Sequence, residues 1–578
     1  MLTPSPTATI GGETKATTTG GEILVEQLIT HGVDTIFGVP GESYLGVLDA
    51  MYPVEDKLRF VIARVENGAA NMAEAYGKLT GKPGVCMVTR GPGATHASIG
   101  IHTAMQDSTP MVVLIGQVGR RMKDREAFQE VDYRAAFGPL AKWVAEIDHA
   151  DRIPEYLARA FHTAQSGRPG PVVLSLPEDL TSDLIVLEDD QHLERPMLAA
   201  ATTVAGPQAG QIDQAMEMLS KAERPFLILG GPSWDEAGIA AITKFAEANN
   251  LPVGCSFRAQ DRFDNRHGNY AGDVGIGINP KLGQAVMESD LLMVIGPRLG
   301  EMTTGGYTRV KPPRSKQPMI HIHPSDMELA SVYQPDLAIQ SGLSLAAQAL
   351  AERPAISAPV WAEWTAARHA DYIENIAERP APGPLNMSSV VAHLNEVLPE
   401  DAIVCNGAGN STAWLHRHFQ YRGFRTQAAP TSGAMGYGVP AAVAASIIYP
   451  ERTVVAVVGD GCFQMAMAEL GTASQYDAAP ILILVNNSMY GTIRMHQERE
   501  YPDRVIATDL VNPDFVAVAK SYGWFSQKVE RTEEFAPAFA AAKESGKAAL
   551  LELIIDPEAI TTRQTLSEIR GTGVRAQR

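Results

Sequence analysis

The chain has 578 residues, with 48 Lys and Arg against 66 Asp and Glu for a formal charge of −18. At about 150 residues per domain this length holds three or four domains, and a composition 45% hydrophobic and 20% charged excludes global disorder. The acidic balance, without a run of Lys and Arg, argues against nucleic acid or an anionic membrane as the main partner.

Residues 1–17, MLTPSPTATIGGETKAT, lack the apolar centre of a secretory signal and read as a flexible polar lead. From Gly20 a helix-like stretch, GEILVEQLITHGV, runs into the short apolar TIFGVPG. Brief β-branched runs follow at Phe60 to Arg64, Val85 to Thr89 and Met111 to Gly116, separated by segments such as GAANMAEAYGKLTG. Short apolar strands alternating with helices predict a parallel sheet covered on both faces. This first domain spans 18–185, closes on PVVLSLP, and is followed by a polar, Asp-rich linker from Ser182 to Arg195 and an Ala/Thr stretch to Gly206. A second α/β domain, 206–350, has strands at Pro225 to Leu229, Leu291 to Ile295 and Met319 to His323. Pro/Ala-rich ERPAISAPVW and ERPAPGPLN lead to a third, 380–562, with strands at Ala402 to Cys405, Val454 to Val458, Ile481 to Val485 and Ala549 to Ile555, and then a tail, 563–578. The predicted fold class is α/β, three doubly wound parallel-sheet domains.

Cys86, Cys255, Cys405 and Cys462 lie far apart without a CxxC, as expected of reduced thiols. No apolar run reaches the roughly 18 residues that span a bilayer. A cytoplasmic protein without a membrane partner is therefore expected.

The most informative segment is VVAVVGDGCFQMAMAELGTASQYDAAPILILVNNSMYGTI. A strand runs into Gly459-Asp460-Gly461, a helix follows, and a second strand ends at Asn486-Asn487. The 24 residues between Gly461 and Asn486 suit one right-handed crossover, which puts Asp460 and Asn487 at the carboxyl ends of neighbouring parallel strands. Ligands of open α/β sheets bind there. The glycines admit a phosphate close to the backbone, and carboxylate, carboxamide and carbonyl oxygens suit Mg²⁺.

GDG, two dozen residues, then NN resembles the cofactor motif of the thiamine diphosphate enzymes. The resemblance implies that Asp460, the Asn487 side chain and the Met489 carbonyl hold Mg²⁺ against the diphosphate. It places Gly459, Gly461, Cys462, Tyr490, Gly491 and Thr492 beside them. The preceding SGAMGYGVPAAVAA is also similar, so Gly433 would offer its carbonyl to the aminopyrimidine and Met435 would wedge beneath the thiazolium. In FVIARVENGAANMAEAYGKLTGKPGVC, Glu66 matches the family's activating carboxylate, which drives the proton relay of the cofactor; as a plain helix-start residue it would serve the dipole. Glu66 and Asp460 fall in different domains, and in the family these come from different subunits, so a homodimer or homotetramer is implied.

Along nearly the whole chain the sequence is similar to acetolactate synthase large subunits, with FGVPGES (Phe37 to Ser43), DSTPMVVLIGQV and AFQEVD (Ala127 to Asp132) as counterparts. Simple 2-keto acid decarboxylases place a His-His pair near the last of these to protonate the carbanion. Phe128-Gln129 stands here instead, which favours carboligation of a 2-keto acid, pyruvate first, to a second carbonyl compound. Gln129 would bind substrate oxygens, Phe128 would shape the pocket and Gly41 would border the reacting carbonyl. His96 and His102 lie nearby. The resemblance breaks at three places. Met302 sits where an acceptor-holding arginine is usual, His496 replaces an acceptor-tuning tryptophan, and GAGNS, with Gly409, Asn410 and Ser411, replaces GxGQH. Another thiamine diphosphate-dependent decarboxylase, lyase or C–C hydrolase, or a cofactor-binding regulatory subunit, therefore stays open. Gly230, Gly231, Arg298 and Glu328 could line an FAD groove in the middle domain, yet the Asp/Arg cluster after GxR in flavin-binding members is absent. FAD is left open.

Overall fold

The structure is a computed structural model that describes residues 7–10, 13–186 and 198–573. Two compact units divide the chain, Met1–Thr203 and Val204–Arg578.

In the first unit six strands pair in the order Arg59–Ile62, Thr35–Gly38, Gly84–Val88, Met111–Gln117, Pro171–Pro177 and Trp143–Glu146, every pair parallel. The three strands Gly84–Val88, Met111–Gln117 and Pro171–Pro177 are buried at every position, which is why they read as unbroken apolar runs. The helix Gly20–Thr30 begins in a capping box between Thr19 and Glu22 and buries Leu24, Val25 and Leu28. The helices Glu66–Thr80 and Pro92–Asp107 pack so closely that a Cβ on Gly100 would lie 2.4 Å from that of Ala70.

Within the stretch 1–17, expected to be a flexible lead, residues 7–10 and 13–17 are described, and they lie in strands. Strands Thr7–Ile10 and Glu13–Thr19 form an antiparallel pair, and the latter also pairs with Leu184–Val186. Its β-branched threonines suit a strand, and Thr17 is buried. Of the linker expected at 182–195, residues 187–195 lie outside the described residues.

The second unit holds two six-stranded parallel sheets. One runs Tyr270–Val274, Val253–Ser256, Pro225–Leu229, Leu291–Ile295, Met319–His323, Leu337–Gln340, the 3-2-1-4-5-6 order of a doubly wound dinucleotide fold. The other runs Gln427–Ala428, Ile403–Asn406, Val454–Gly459, Ile481–Asn486, Ala549–Ile554, Phe525–Val529. Buried polar groups sew these sheets into one unit. Asp261 accepts from the Thr426 and Gln427 amides at 3.2 Å each, and Asn265 and Tyr421 exchange two bonds at 2.9 Å. The Ala-rich end of SGAMGYGVPAAVAA enters the buried helix Gly438–Ile448, and no helix among the described residues is long and apolar enough to cross a membrane.

Candidate active site

Strands Val454–Gly459 and Ile481–Asn486 are adjacent and parallel, with Gly459 opposite Val485, so Asp460 and Asn487 leave the sheet at the same edge. Asp460 opens the helix Asp460–Gln464 and is 3% exposed. One of its oxygens accepts from the Gly461 amide at 2.9 Å and the other from Asn512 at 2.8 Å. Burial pushes its carboxyl up despite these bonds, and no cationic side chain among the described residues pairs with it. A buried carboxylate without a counter-charge is costly unless a cation completes it.

The two asparagines do different work. Asn486 is buried, donates to Glu552 at 2.8 Å and accepts from Asn512 at 2.9 Å and the Ser488 amide at 3.0 Å. Asn487 is half-buried, and its side chain makes no hydrogen bond among the described residues. The chain then turns through Ser488, at φ 54°, and residues 488–490 pair with 508–510. The Met489 carbonyl accepts from the Gly491 amide at 2.9 Å, which leaves it a second lone pair. Among the described residues no group of three or more His, Cys, Asp or Glu is placed to hold a metal. One carboxylate with amide and carbonyl oxygens is a donor set for a hard cation such as Mg²⁺.

Around this pair the backbone is kept bare. A Cβ on Gly461 would meet the Tyr490 ring at 2.7 Å, one on Gly459 the Ser411 hydroxyl at 3.0 Å, and one on Gly491 the Asn487 amide nitrogen at 3.1 Å. Cys462 donates its S–H to the Ala408 carbonyl at 3.2 Å, and burial pushes this thiol up, so it is a packing residue. Gly409 stands at φ 97° and Gly433 at φ 68°, left-handed values that favour glycine. Gly433 is exposed and Met435, between Gly433 and the left-handed Gly436, is half-buried. Asn410 is committed within the protein: its side chain donates to the Ile560 carbonyl at 2.9 Å and accepts from Thr492 at 3.0 Å. The Ser411 hydroxyl makes no hydrogen bond among the described residues.

A brace lies behind the loop. Met489 and Met495 form a small core with Ile560, Leu566 and Ile569. The short helix Leu566–Thr572, within the expected tail, is clamped to the helix Gly491–Glu500 by Arg570, which reaches both oxygens of Glu498 at 2.9 and 2.7 Å. Glu498 is 1% exposed, and the guanidinium holds its carboxyl below the usual carboxylate range.

In the first unit Glu66 opens its helix, mostly buried, and one of its oxygens meets Nδ1 of His96 at 3.1 Å. A Cβ on Gly93 would lie 3.2 Å from the other oxygen. Tyr44 and Cys86 lie near the carboxylate; burial pushes both up, followed by the Glu66 charge for Cys86 and by Cys86 and then Glu66 for Tyr44. Gly41 presses against Thr89, whose hydroxyl bonds Ser43 at 2.8 Å. The segment 124–130 carries three left-handed non-glycine residues, Asp124, Glu126 and Gln129. Glu130 holds it together by accepting from the Asp124 amide at 2.7 Å and the Ala127 amide at 3.0 Å, which lowers its pKa. Phe128 is 72% exposed. Gln129 is half-buried and its side chain makes no hydrogen bond among the described residues. Of the other histidines read from the sequence, His102 and His496 are exposed.

Two residues escape sequence reading, and a third, His96, is read from the sequence only as lying nearby. Arg90 joins Glu42 at 2.9 Å, Glu178 at 3.2 Å and the Phe128 carbonyl at 3.3 Å, so one buried guanidinium ties the FGVPGES loop to the Phe128 loop. Asn512 bridges Asp460 and Asn486. His96 touches Glu66. Only Arg90 carries a local signal, its place directly before Gly91-Pro92-Gly93.

In the dinucleotide-type sheet the glycines read as part of an FAD groove are closely packed on the side a Cβ would occupy. A Cβ on Gly231 would lie 2.0 Å from the Gly296 carbonyl oxygen and one on Gly230 1.9 Å from the Ser256 hydroxyl. Arg298 is paired with Glu328 at 3.3 Å.

Three family models match the chain in order: the N-terminal TPP binding domain of thiamine pyrophosphate enzymes over residues 18–136, their central domain over 212–350 and their C-terminal TPP binding domain over 407–553. The acetolactate synthase large subunit of Parasynechococcus marenigrum is 32% identical, aligned over 96% of this chain and 90% of its own length. That of Corynebacterium glutamicum is 32% identical over 94% and 87%, and the isozyme 2 large subunit of Escherichia coli 31% over 93% and 95%. Similarity that runs through all three domains, and includes the loops carrying Glu66 and Asp460, shows that the chain belongs to the thiamine pyrophosphate enzymes, in the acetolactate synthase family.

Proposed function

We propose that the protein decarboxylates a 2-keto acid, pyruvate first, and joins the remaining two-carbon unit to a second carbonyl compound. The observation that carries this reading is Asp460, a buried carboxylate at a strand end with no cation beside it among the described residues. Thiamine diphosphate supplies, when bound, the electron sink for loss of CO₂ and the nucleophilic carbon for the ligation.

The chain's own residues bind, orient and move protons around it. Asp460, Asn487 and the Met489 carbonyl would hold Mg²⁺, with Gly459, Gly461, Cys462, Tyr490, Gly491 and Thr492 around them and Gly409, Asn410 and Ser411 on the diphosphate side. Gly433 and Met435 would meet the ring portion. Glu66 would hold a proton against the pyrimidine ring nitrogen, with His96 on its other oxygen. Gln129 would bind substrate oxygens, Phe128 would shape the pocket and Gly41 would border the carbonyl. Neither Phe128 nor Gln129 is a proton donor of the imidazolium type, which favours ligation over release of an aldehyde.

Domain limits of 18–185, 206–350 and 380–562, a homodimer or homotetramer, and a cytoplasmic setting complete the proposal; the last is supported by four free, buried cysteines. FAD stays open in it: Gly230 and Gly231 pack tightly against Ser256 and the Gly296 backbone, and absorbance of the purified protein at about 450 nm tests for the flavin.

Product analysis is the test. Acetolactate from pyruvate alone is expected, and acetaldehyde as the sole product would overturn the ligation. Glu66→Gln is expected to lower turnover by about a thousandfold while cofactor binding persists.

A further inference from the structure

We propose that His96 is a positioning residue for Glu66, fixing the carboxylate so that one oxygen is spent on the imidazole and the other is presented to the reaction. The proposal rests on the reading of Glu66 as the activating carboxylate.

The geometry places the two residues on separate helices. Glu66 is the first residue of Glu66–Thr80, and His96 is the fifth of Pro92–Asp107. Their helices pack closely, so the approach of Nδ1 to the carboxylate at 3.1 Å is set by the two backbones rather than by one flexible surface chain. Glu66 has only 15% of its side chain exposed, where a charge-assisted hydrogen bond is stronger than in open water. Neither residue makes another side-chain hydrogen bond among the described residues.

If the proton held by Glu66 lies on its other oxygen, the oxygen that faces His96 can only accept, so the shared hydrogen sits on Nδ1 and the imidazole donates. In the neutral ring this leaves Nε2 as the lone-pair nitrogen, on a side chain that is 62% exposed. The second Glu66 oxygen lies over Gly93, where even a methyl group would crowd it to 3.2 Å. Of the two oxygens, then, one is held by a donor and the other is bordered by bare backbone. A free glutamate samples many rotamers, and a carboxylate held at one oxygen begins each cycle already aimed.

The experiment uses the full chain loaded with thiamine diphosphate and Mg²⁺, without substrate. It measures the rate at which the thiazolium C2 hydrogen exchanges with solvent deuterium, and separately the Kd for the cofactor. His96→Ala is expected to slow exchange about tenfold with Kd within about twofold of wild type. His96→Asn keeps an N–H near the place of Nδ1 and is expected to restore most of the rate. Exchange at the wild-type rate in His96→Ala, while Glu66→Gln is inactive in exchange, overturns the positioning role alone. Exchange at the wild-type rate in Glu66→Gln overturns the reading of Glu66 beneath it. A weakened Kd in His96→Ala with unchanged exchange of the bound cofactor makes His96 merely structural and overturns the proposal.

Discussion

Each unit carries its own set of candidate site residues, and the two sets are built from different materials. The Glu66 half, in the first unit, is made of side chains: a carboxylate held by His96 and a buried arginine that ties two loops through three partners. The Asp460 half, in the second unit, leans on backbone, with Gly461 and Gly459 where a Cβ would crowd its neighbours, a left-handed Ser488 and a carbonyl oxygen in the expected donor set. A side-chain half can be tuned by one substitution, because a changed residue alters one interaction. A backbone half depends on packing well outside it and fails as a block.

That difference can be broken or sharpened by variants of graded size. Asp460→Ala removes the one carboxylate of the donor set and is expected to weaken Mg²⁺-dependent cofactor binding by about a hundredfold or more, read by titration; retention of Mg²⁺ dependence would end the metal assignment. Arg90→Lys keeps the charge but loses the fork that serves Glu42, Glu178 and the Phe128 carbonyl. The expected result is a KM for the keto acid raised about tenfold with cofactor Kd unchanged. Arg570→Ala reaches the backbone half from behind, through Glu498 and the helix Gly491–Glu500. Here the cofactor Kd is expected to rise about fivefold with the KM for substrate nearly constant, the reverse of the Arg90 pattern.

An effect on stability, separate from binding, lies in the dinucleotide-type sheet. Burial pushes the Asp273 carboxyl from its ordinary 3.8 up to about 7, against the pull of Arg258 and Arg309. A carboxyl raised in the folded state favours the protonated fold. Its contribution is therefore complete below the unfolded value and is lost as pH rises through about 7. Asp273→Asn is expected to remove that decline and to be more stable than wild type at pH 8 by about 2 kcal/mol, measured as melting temperature across pH. Parallel pH profiles for the two proteins would show that Asp273 does not titrate in this range.

How far the fold can be read from the sequence follows burial in part, since Val253–Ser256 is buried throughout and still escapes, its apolarity broken by Gly254 and Ser256. Pro225–Leu229, Leu291–Ile295 and Met319–His323 are legible to the residue because they are buried at every position and so unbroken in apolarity. Leu337–Gln340, which alternates buried and exposed at a sheet edge, and Phe525–Val529, also at an edge, have no such signature and escape it. The Thr-rich strand Glu13–Thr19 hides for another reason: one of its two partners, Leu184–Val186, lies far along the chain. In the site the same rule applies to separation. Asp460 and Asn487 are legible because one crossover fixes their spacing. His96 meets Glu66 across 30 residues, Arg90 meets Glu178 across 88 and Asn512 meets Asp460 across 52, distances at which no local pattern reports the contact.

The small core shared by Met489, Met495, Ile560, Leu566 and Ile569 also orders events during synthesis. The loop that carries Asn487 and Met489 leaves the ribosome well before the segment that braces it. Until the chain has been made through Arg570, Glu498 lacks its partner and Asn410 lacks the Ile560 carbonyl. A nascent chain can therefore complete the sheet Val454–Gly459 and Ile481–Asn486 share and still not hold its loop in final form. The brace of this loop is complete only once translation has passed the helix Leu566–Thr572.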